Sequence, residues 1–147
     1  MPHIESSTFL PLPPQRVWEL VHATGSARAE WDPLLARSRW THRSTGPADG
    51  ATLFVRTPRG VRMLLRFEHP HPYVQSSARM VKGPRSLASY GEGWRLHEEP
   101  EGTRLVWKIA FRLHRPLDAG PAGALLASRL RRLLDQRLAS LARHARG

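Results

Sequence analysis

The sequence predicts an α+β fold: a curved antiparallel sheet of about seven strands, two short helices near the N-terminus, and a long C-terminal helix packed across the concave face. Three observations carry that expectation. Residues 35–114 break into six stretches of period-two alternation on short Gly/Pro turns, too short for parallel crossovers. A seventh such stretch opens the chain. Residues 121–147 instead carry a single leucine stripe at a 3.6-residue period.

Taken in order, Ile4, Ser6, Thr8 and Leu10 alternate with Glu5, Ser7 and Phe9, a strand pattern. Pro11, Pro13 and Pro14 end it, and proline suits a helix start, where its missing N–H has no partner to lose. Val17, Trp18, Leu20 and Val21 recur at helical spacing as far as Thr24-Gly25. A second helical piece, Ser26 to Trp31, is closed by Asp32-Pro33. Strands are then expected near 35–44, 51–57, 61–69, 73–82, 86–97 and 103–114. Residues 46–50, 58–60, 70–72, 83–84 and 100–102 separate them.

Alternation also assigns faces. Thr103, Leu105, Trp107, Ile109, Phe111 and Leu113 form one face of the last strand, opposite Arg104, Lys108, Arg112 and His114. Val61, Met63, Leu65 and Phe67 oppose Arg62, Arg66 and Glu68. Ala88, Tyr90, Trp94 and Leu96 share a face with Glu92, while Gly91 and Gly93 on the other side suggest a bulge or bend. Leu126, Leu130, Leu133, Leu134, Leu138, Leu141 and Ala145 form the helical stripe that covers the apolar face. A helix of about 25 residues spans roughly 38 Å, enough to cross the sheet. Its basic face could instead meet a membrane surface, but the sheet needs a cover and no other long apolar stripe is available.

A chain of 147 residues is long enough to bury on the order of 70% of its unfolded surface as one domain, without disulfide or metal staples. No cysteine is present, which excludes disulfides and thiolate chemistry. Met1 to Glu5 show no leader pattern and no apolar run approaches a membrane span, so the expected location is cytoplasmic. The formal charge of +11 raises a nucleic-acid or ribosome partner. However, the 23 cations are 21 Arg and 2 Lys dispersed along the chain, which reads as the composition of a GC-rich genome and a solvated basic surface.

The order strand, two short helices, six-stranded meander and long helix resembles the helix-grip fold of the START-like (SRPBCC) superfamily. That superfamily holds polyketide cyclases and dehydrases, lipid-transfer domains and birch-pollen-allergen-like proteins. Leu12 to Leu20 resembles the family's first helix, and Glu30-Trp31-Asp32-Pro33 its tryptophan-proline stretch. Gly93-Trp94-Arg95-Leu96 with Glu101 to Trp107 resembles its last hairpin. The resemblance implies a cavity between sheet and helix for a hydrophobic small molecule: a lipid, polyketide or aromatic compound. No metal or organic cofactor is expected, and no catalytic motif transfers, because branches of the superfamily place their polar residues differently.

Serine-nucleophile elbows, zinc-binding His-Glu-x-x-His helices, phosphate loops and dinucleotide fingerprints are absent. Glu68-His69-Pro70-His71 is the only local metal-like cluster, and it reads as a rigid turn. The remaining histidines, His22 among them, read as surface or satisfied residues. Trp18 and Trp31 read as core. The candidate cavity lining is Trp40, Met63, Leu65, Phe67, Tyr90, Glu92, Trp94, Trp107, Ile109, Leu130, Leu134 and Arg137. Glu92 shares the parity of Tyr90 and Trp94, and Arg137 falls near 20° on a stripe centred at about 54° when Leu126 is set to zero. Burying either charge alone is costly. They are therefore expected either to form the polar end of the pocket, with Arg137 anchoring a ligand carboxylate or enolate and Glu92 or Tyr90 moving protons, or to escape to solvent by snorkelling and a bulge. Binding without catalysis is the first functional expectation, a cyclase or dehydrase the second, and a ribosome-docking protein the third.

Overall fold

A computed structural model describes residues 3–147. The expectation that no leader begins the chain falls partly on Met1 and Pro2, which lie outside the described residues. The elements are β1 (His3–Leu10), α1 (Pro14–Val21), α2 (Gly25–Ala29), β2 (Arg37–Thr41), β3 (Thr52–Arg56), β4 (Arg62–His71), β5 (Gln75–Lys82), β6 (Leu87–Glu99), β7 (Gly102–Leu113) and α3 (Ala122–Arg146). A 3-10 turn at Leu117–Ala119 leads into α3. One antiparallel sheet has the order β1-β7-β6-β5-β4-β3-β2. This is the expected helix-grip arrangement: a meander from β2 to β7, with β1 paired to its last strand.

The long β6–β7 hairpin is the spine of the sheet. Its register pairs Trp94 with Trp107 and Leu96 with Leu105. Thr103, Leu105, Trp107, Ile109, Phe111 and Leu113 are all buried, as their alternation requires. Each such large apolar side chain contributes about 1.5–3 kcal/mol by leaving water. Gly102 opens β7 because a Cβ there would collide with the Leu10 carbonyl and the Phe9 ring where β1 ends.

Four details depart from the sequence expectation. The backbone of α3 runs closest to β1 and β7 rather than crossing the whole sheet. It is tied there by Arg131, which donates to the Glu5 carbonyl at 3.1 Å, and by the Ser6 hydroxyl, which donates to Asp135 at 2.6 Å. Val21, His22, Arg28, Leu34 and Leu35, together with Arg137 of α3, face the inner side of β3, β4 and β6. Val61 is 44% exposed, since it precedes β4 at the tip of the β3–β4 hairpin. Gly91 and Gly93 pair regularly with Arg79 and Ser77; the register shift in β6 lies at Leu87/Ser89. Glu92 therefore keeps its inward parity. Finally, His69-Pro70-His71 belongs to the end of β4, with a register shift after Glu68, and the turn follows at residues 72–74.

Candidate binding site

Between the sheet and its helical cover lies a cavity of about 70 Å³. Leu53, Val55, Met63, Leu65 and Phe67 supply its sheet wall from β3 and β4, and Tyr90, Glu92 and Trp94 supply it from β6. The roof comes from Val21 at the end of α1, His22 just after it, Arg28 of α2, Leu34 and Leu35, and Arg137 of α3. The rim is Leu34, Leu35, Thr57, Val61 and Met63, all at least partly exposed. Phe67 stacks on Trp94 with ring centroids 5.8 Å apart, and His22 lies 5.7 Å from each ring. The walls are thus apolar and aromatic except along the side formed by Arg28, Tyr90, Glu92 and Arg137.

That side is a charge-balanced network. Asp32 accepts from Arg28 Nε at 2.8 Å and from Arg137 through Nε at 3.1 Å and Nη2 at 2.9 Å. Arg137 Nη1 lies 3.6 Å from Glu92 Oε1, which also accepts from the Trp107 indole N–H at 3.2 Å. The Arg137 guanidinium sits 4.3 Å above the Trp107 ring, and that of Arg28 sits 4.5 Å from Trp31. Arg28 also donates to the Val21 carbonyl at the end of α1. Two cations and two carboxylates share one buried site, so none carries its desolvation cost alone.

The proton affinities follow. Burial alone would raise the Asp32 carboxyl, but Arg137 and Arg28 outweigh it and hold the group at about 2. Burial also opposes the Arg137 charge, yet Asp32 and Glu92 together hold that guanidinium above its ordinary value. Arg28 has Asp32 as its main partner and is repelled by Arg137, so burial prevails and lowers it. Burial, then the neighbouring Glu92 carboxylate, push the Tyr90 phenol well above its usual range, so it stays protonated.

His22 is neutral for a different reason. Burial, reinforced by repulsion from Arg28 and opposed by its Trp18 hydrogen bond, lowers it to about 4. Nδ1 lies 2.8 Å from the Trp18 carbonyl, which can only accept, so Nδ1 carries the proton and Nε2 accepts from Ser76 Oγ at 2.8 Å. The indole N–H of Trp94 is buried without a protein acceptor. An orphan donor on a cavity-lining residue is uncommon, since buried N–H groups are nearly always paired.

Of the lining expected from sequence, Met63, Leu65, Phe67, Tyr90, Glu92, Trp94 and Arg137 meet at the cavity. Trp40, Trp107, Ile109, Leu130 and Leu134 pack in or against the core beside it. Trp40 contacts Phe67, with centroids 5.3 Å apart. Sequence reasoning passed over Arg28 and Asp32. Their signal was an i,i+4 ion pair flanking Trp31, but Asp32-Pro33 reads first as a helix stop. Among the described residues no three His, Asp or Glu side chains converge as metal ligands. No helix there is long and apolar enough to cross a membrane.

With this geometry in hand, residues 1–146 match the family described as polyketide cyclase/dehydrase and lipid transport. Among solved structures, the chain is similar to the Zhui aromatase/cyclase of Streptomyces sp. R1128. The TM-score is 0.79 at 17% identity, covering 99% of this chain and 93% of that one. It is also similar to a START superfamily protein from Mycobacterium smegmatis, with a TM-score of 0.75 at 14% identity over 97% of both chains. At these identities the likeness shows the fold. No curated protein matches the sequence.

Proposed function

Because the chain belongs to the polyketide cyclase/dehydrase and lipid transport family, we propose that it binds a hydrophobic small molecule in the cavity between the sheet and residues 20–36, with one polar atom of the ligand held beside Tyr90. The observation that carries this reading is the chemical asymmetry of the cavity wall. Aromatic and aliphatic side chains line it, and polar groups gather on one side, the pattern by which ligand sites combine area with orientation. The protonated Tyr90 phenol and the unpartnered Trp94 N–H both offer donors, which favours a carbonyl or hydroxyl oxygen. A ligand carboxylate is disfavoured, since Asp32 already takes two nitrogens of Arg137. The role of Arg137 is to hold Glu92 and the Trp107 face, not to anchor the ligand.

A cavity of about 70 Å³ is well below the roughly 300–1,000 Å³ of a small-molecule pocket. Loading therefore opens the rim, where Leu34 and Leu35 face Val61 and Met63. Native mass spectrometry of freshly purified protein tests the reading directly, with a co-purifying apolar molecule as the expected result. Nile red titration supplies a second readout: Met63→Trp at the rim abolishes uptake, whereas an apolar probe without a carbonyl enters Tyr90→Phe unchanged. Uptake unaffected by filling the rim sinks the proposed location. If apolar probes with and without a carbonyl bind Tyr90→Phe, Glu92→Gln and Arg137→Leu as they bind the parent, the polar side has no part in recognition.

A cyclase or dehydrase reading is favoured by one specific feature, a phenol held protonated next to a carboxylate inside the cavity. Trp107 and Arg137 both approach Oε1 of Glu92, and the carboxylate would take a proton from a carbon beside a ketone. Tyr90 would donate its hydrogen bond to the resulting enolate oxygen. On that reading Glu92→Gln lowers turnover of a poly-β-ketone thioester by about 10²–10⁴-fold, and retained turnover rejects it.

A further inference from the structure

The strand register brings several loops to one end of the sheet. Arg37 at the start of β2 pairs with Arg56 at the end of β3, which leads into the 57–61 turn, and Arg56 pairs with Arg62 as β4 begins. Leu64 pairs with Lys82 at the end of β5, and Leu87 at the start of β6 pairs with Leu113 at the end of β7. The β3–β4 turn, the β5–β6 loop and the 114–121 segment that opens α3 therefore lie side by side. From β3 to β7 they span about 20 Å at the usual strand spacing. Thr57 and Val61 of this end also form the cavity rim.

The chemistry of this end is unlike that of the other. Its turns and strand ends carry Arg56, Arg59, Arg62, Lys82, Arg85 and Arg115 against one carboxylate, Asp118. Arg115 and Asp118 approach to 3.9 Å, while the other five cations form no ion pair among the described residues. Between them stand Val61, Val81, Leu117 and Leu125, four of the six large apolar side chains that are markedly exposed among the described residues; Leu125 is 69% exposed. At the opposite end the β6–β7 turn carries Glu98, Glu99 and Glu101. Unpaired cations interspersed with exposed aliphatic groups complement a surface that is anionic outside and apolar beneath. A nucleic acid would use the cations and leave the leucines in water.

We propose that this end docks on an anionic lipid bilayer, bringing the cavity rim to the membrane so that an apolar ligand passes between bilayer and cavity without crossing water. This rests on the cavity being a ligand site, and the two are tested separately. Sedimentation with phosphatidylcholine vesicles, with and without phosphatidylglycerol, measures docking in the absence of any added ligand. Binding is expected only to the anionic vesicles and is expected to weaken as salt shortens electrostatic range. Charge reversal in Arg59→Glu/Arg85→Glu weakens it at least tenfold, since each cation near such a surface acts with about one decade or less of affinity. Leu117→Gln/Leu125→Gln weakens it severalfold at unchanged net charge. None of these four side chains lines the cavity, so Nile red uptake is retained in both variants. Absence of vesicle binding, or binding unchanged in either variant, overturns the proposal. So does an RNA oligonucleotide bound as tightly as the vesicles and indifferent to the leucine pair. Docking by a parent protein that takes up no Nile red would leave the membrane surface standing and remove the cavity reading.

Discussion

In the C-terminal half of α3, Leu134, Leu138, Leu141 and Ala142 are buried, and Arg137 reaches into the network with Asp32 and Glu92. In the N-terminal half, Leu126, Leu130 and Leu133 are only half-buried and Leu125 stands in solvent. The same leucine periodicity thus serves two purposes. The C-terminal half, together with Arg131, fastens the helix to β1 and the buried charges; the first turns overhang the cationic end of the sheet. A lid built this way can loosen at one end without releasing the other, because local opening draws on regions with few buried contacts.

The sharpest way to break this comparison is to cut the network. Arg137→Ala leaves Glu92 without its cation and Asp32 with Arg28 alone, deep inside the protein. A loss of about 3–5 kcal/mol is expected in urea unfolding, the usual cost of stranding a buried charge. Arg129→Ala, on the exposed side of the other half, changes stability by less than about 0.5 kcal/mol. Similar losses for the two arginines would show that the halves do not differ. Leu141→Ala, next in size, costs about 2–5 kcal/mol as a fully buried cavity-forming change.

Much of this contrast could be read in advance, and what could not has a physical reason. Period-two alternation exposed the inner face of β7, and the helical period placed Arg137 on the buried stripe. Parity placed Glu92 inward. What escaped was the partner of Arg137: Asp32 lies 105 residues away in sequence, next to a proline that dominates its reading as a helix stop. Pairing across such a distance depends on how α2 is carried onto the sheet, and no local pattern encodes that. The size of the cavity was equally illegible, because side-chain parity fixes which groups face inward and not how tightly they close.

The pH dependence sharpens the comparison further, since the perturbed groups lie in the buried network or beside it. His22 is held near 4 when folded, against 6.5 for the free side chain. The unfolded chain therefore takes up a proton first as pH falls. The stability tied to neutral His22 is complete above pH 6.5 and is lost toward pH 4, by about 3 kcal/mol at most. His22→Gln flattens the slope in that window. Asp32 acts lower: its carboxyl is held at about 2 rather than 3.8. Its contribution is complete above about pH 4 and disappears only as pH approaches 2. Stability independent of pH between 6.5 and 4 would contradict a buried neutral His22.

The smallest effects test the gradient itself. Leu126, Leu130 and Leu134 share one stripe on successive turns of α3; the first two are half-buried and the last is 1% exposed. Alanine has the highest helix propensity, so truncating each leucine reports lost packing and little else. Leu134→Ala is expected to cost about 2–5 kcal/mol, and Leu126→Ala and Leu130→Ala about 1 kcal/mol each. A series that rises toward Leu134 means that α3 is anchored at its C-terminal half and can lift at its start. A flat series, with Leu126→Ala costing as much as Leu134→Ala, would mean that the first turns are held as firmly as the last.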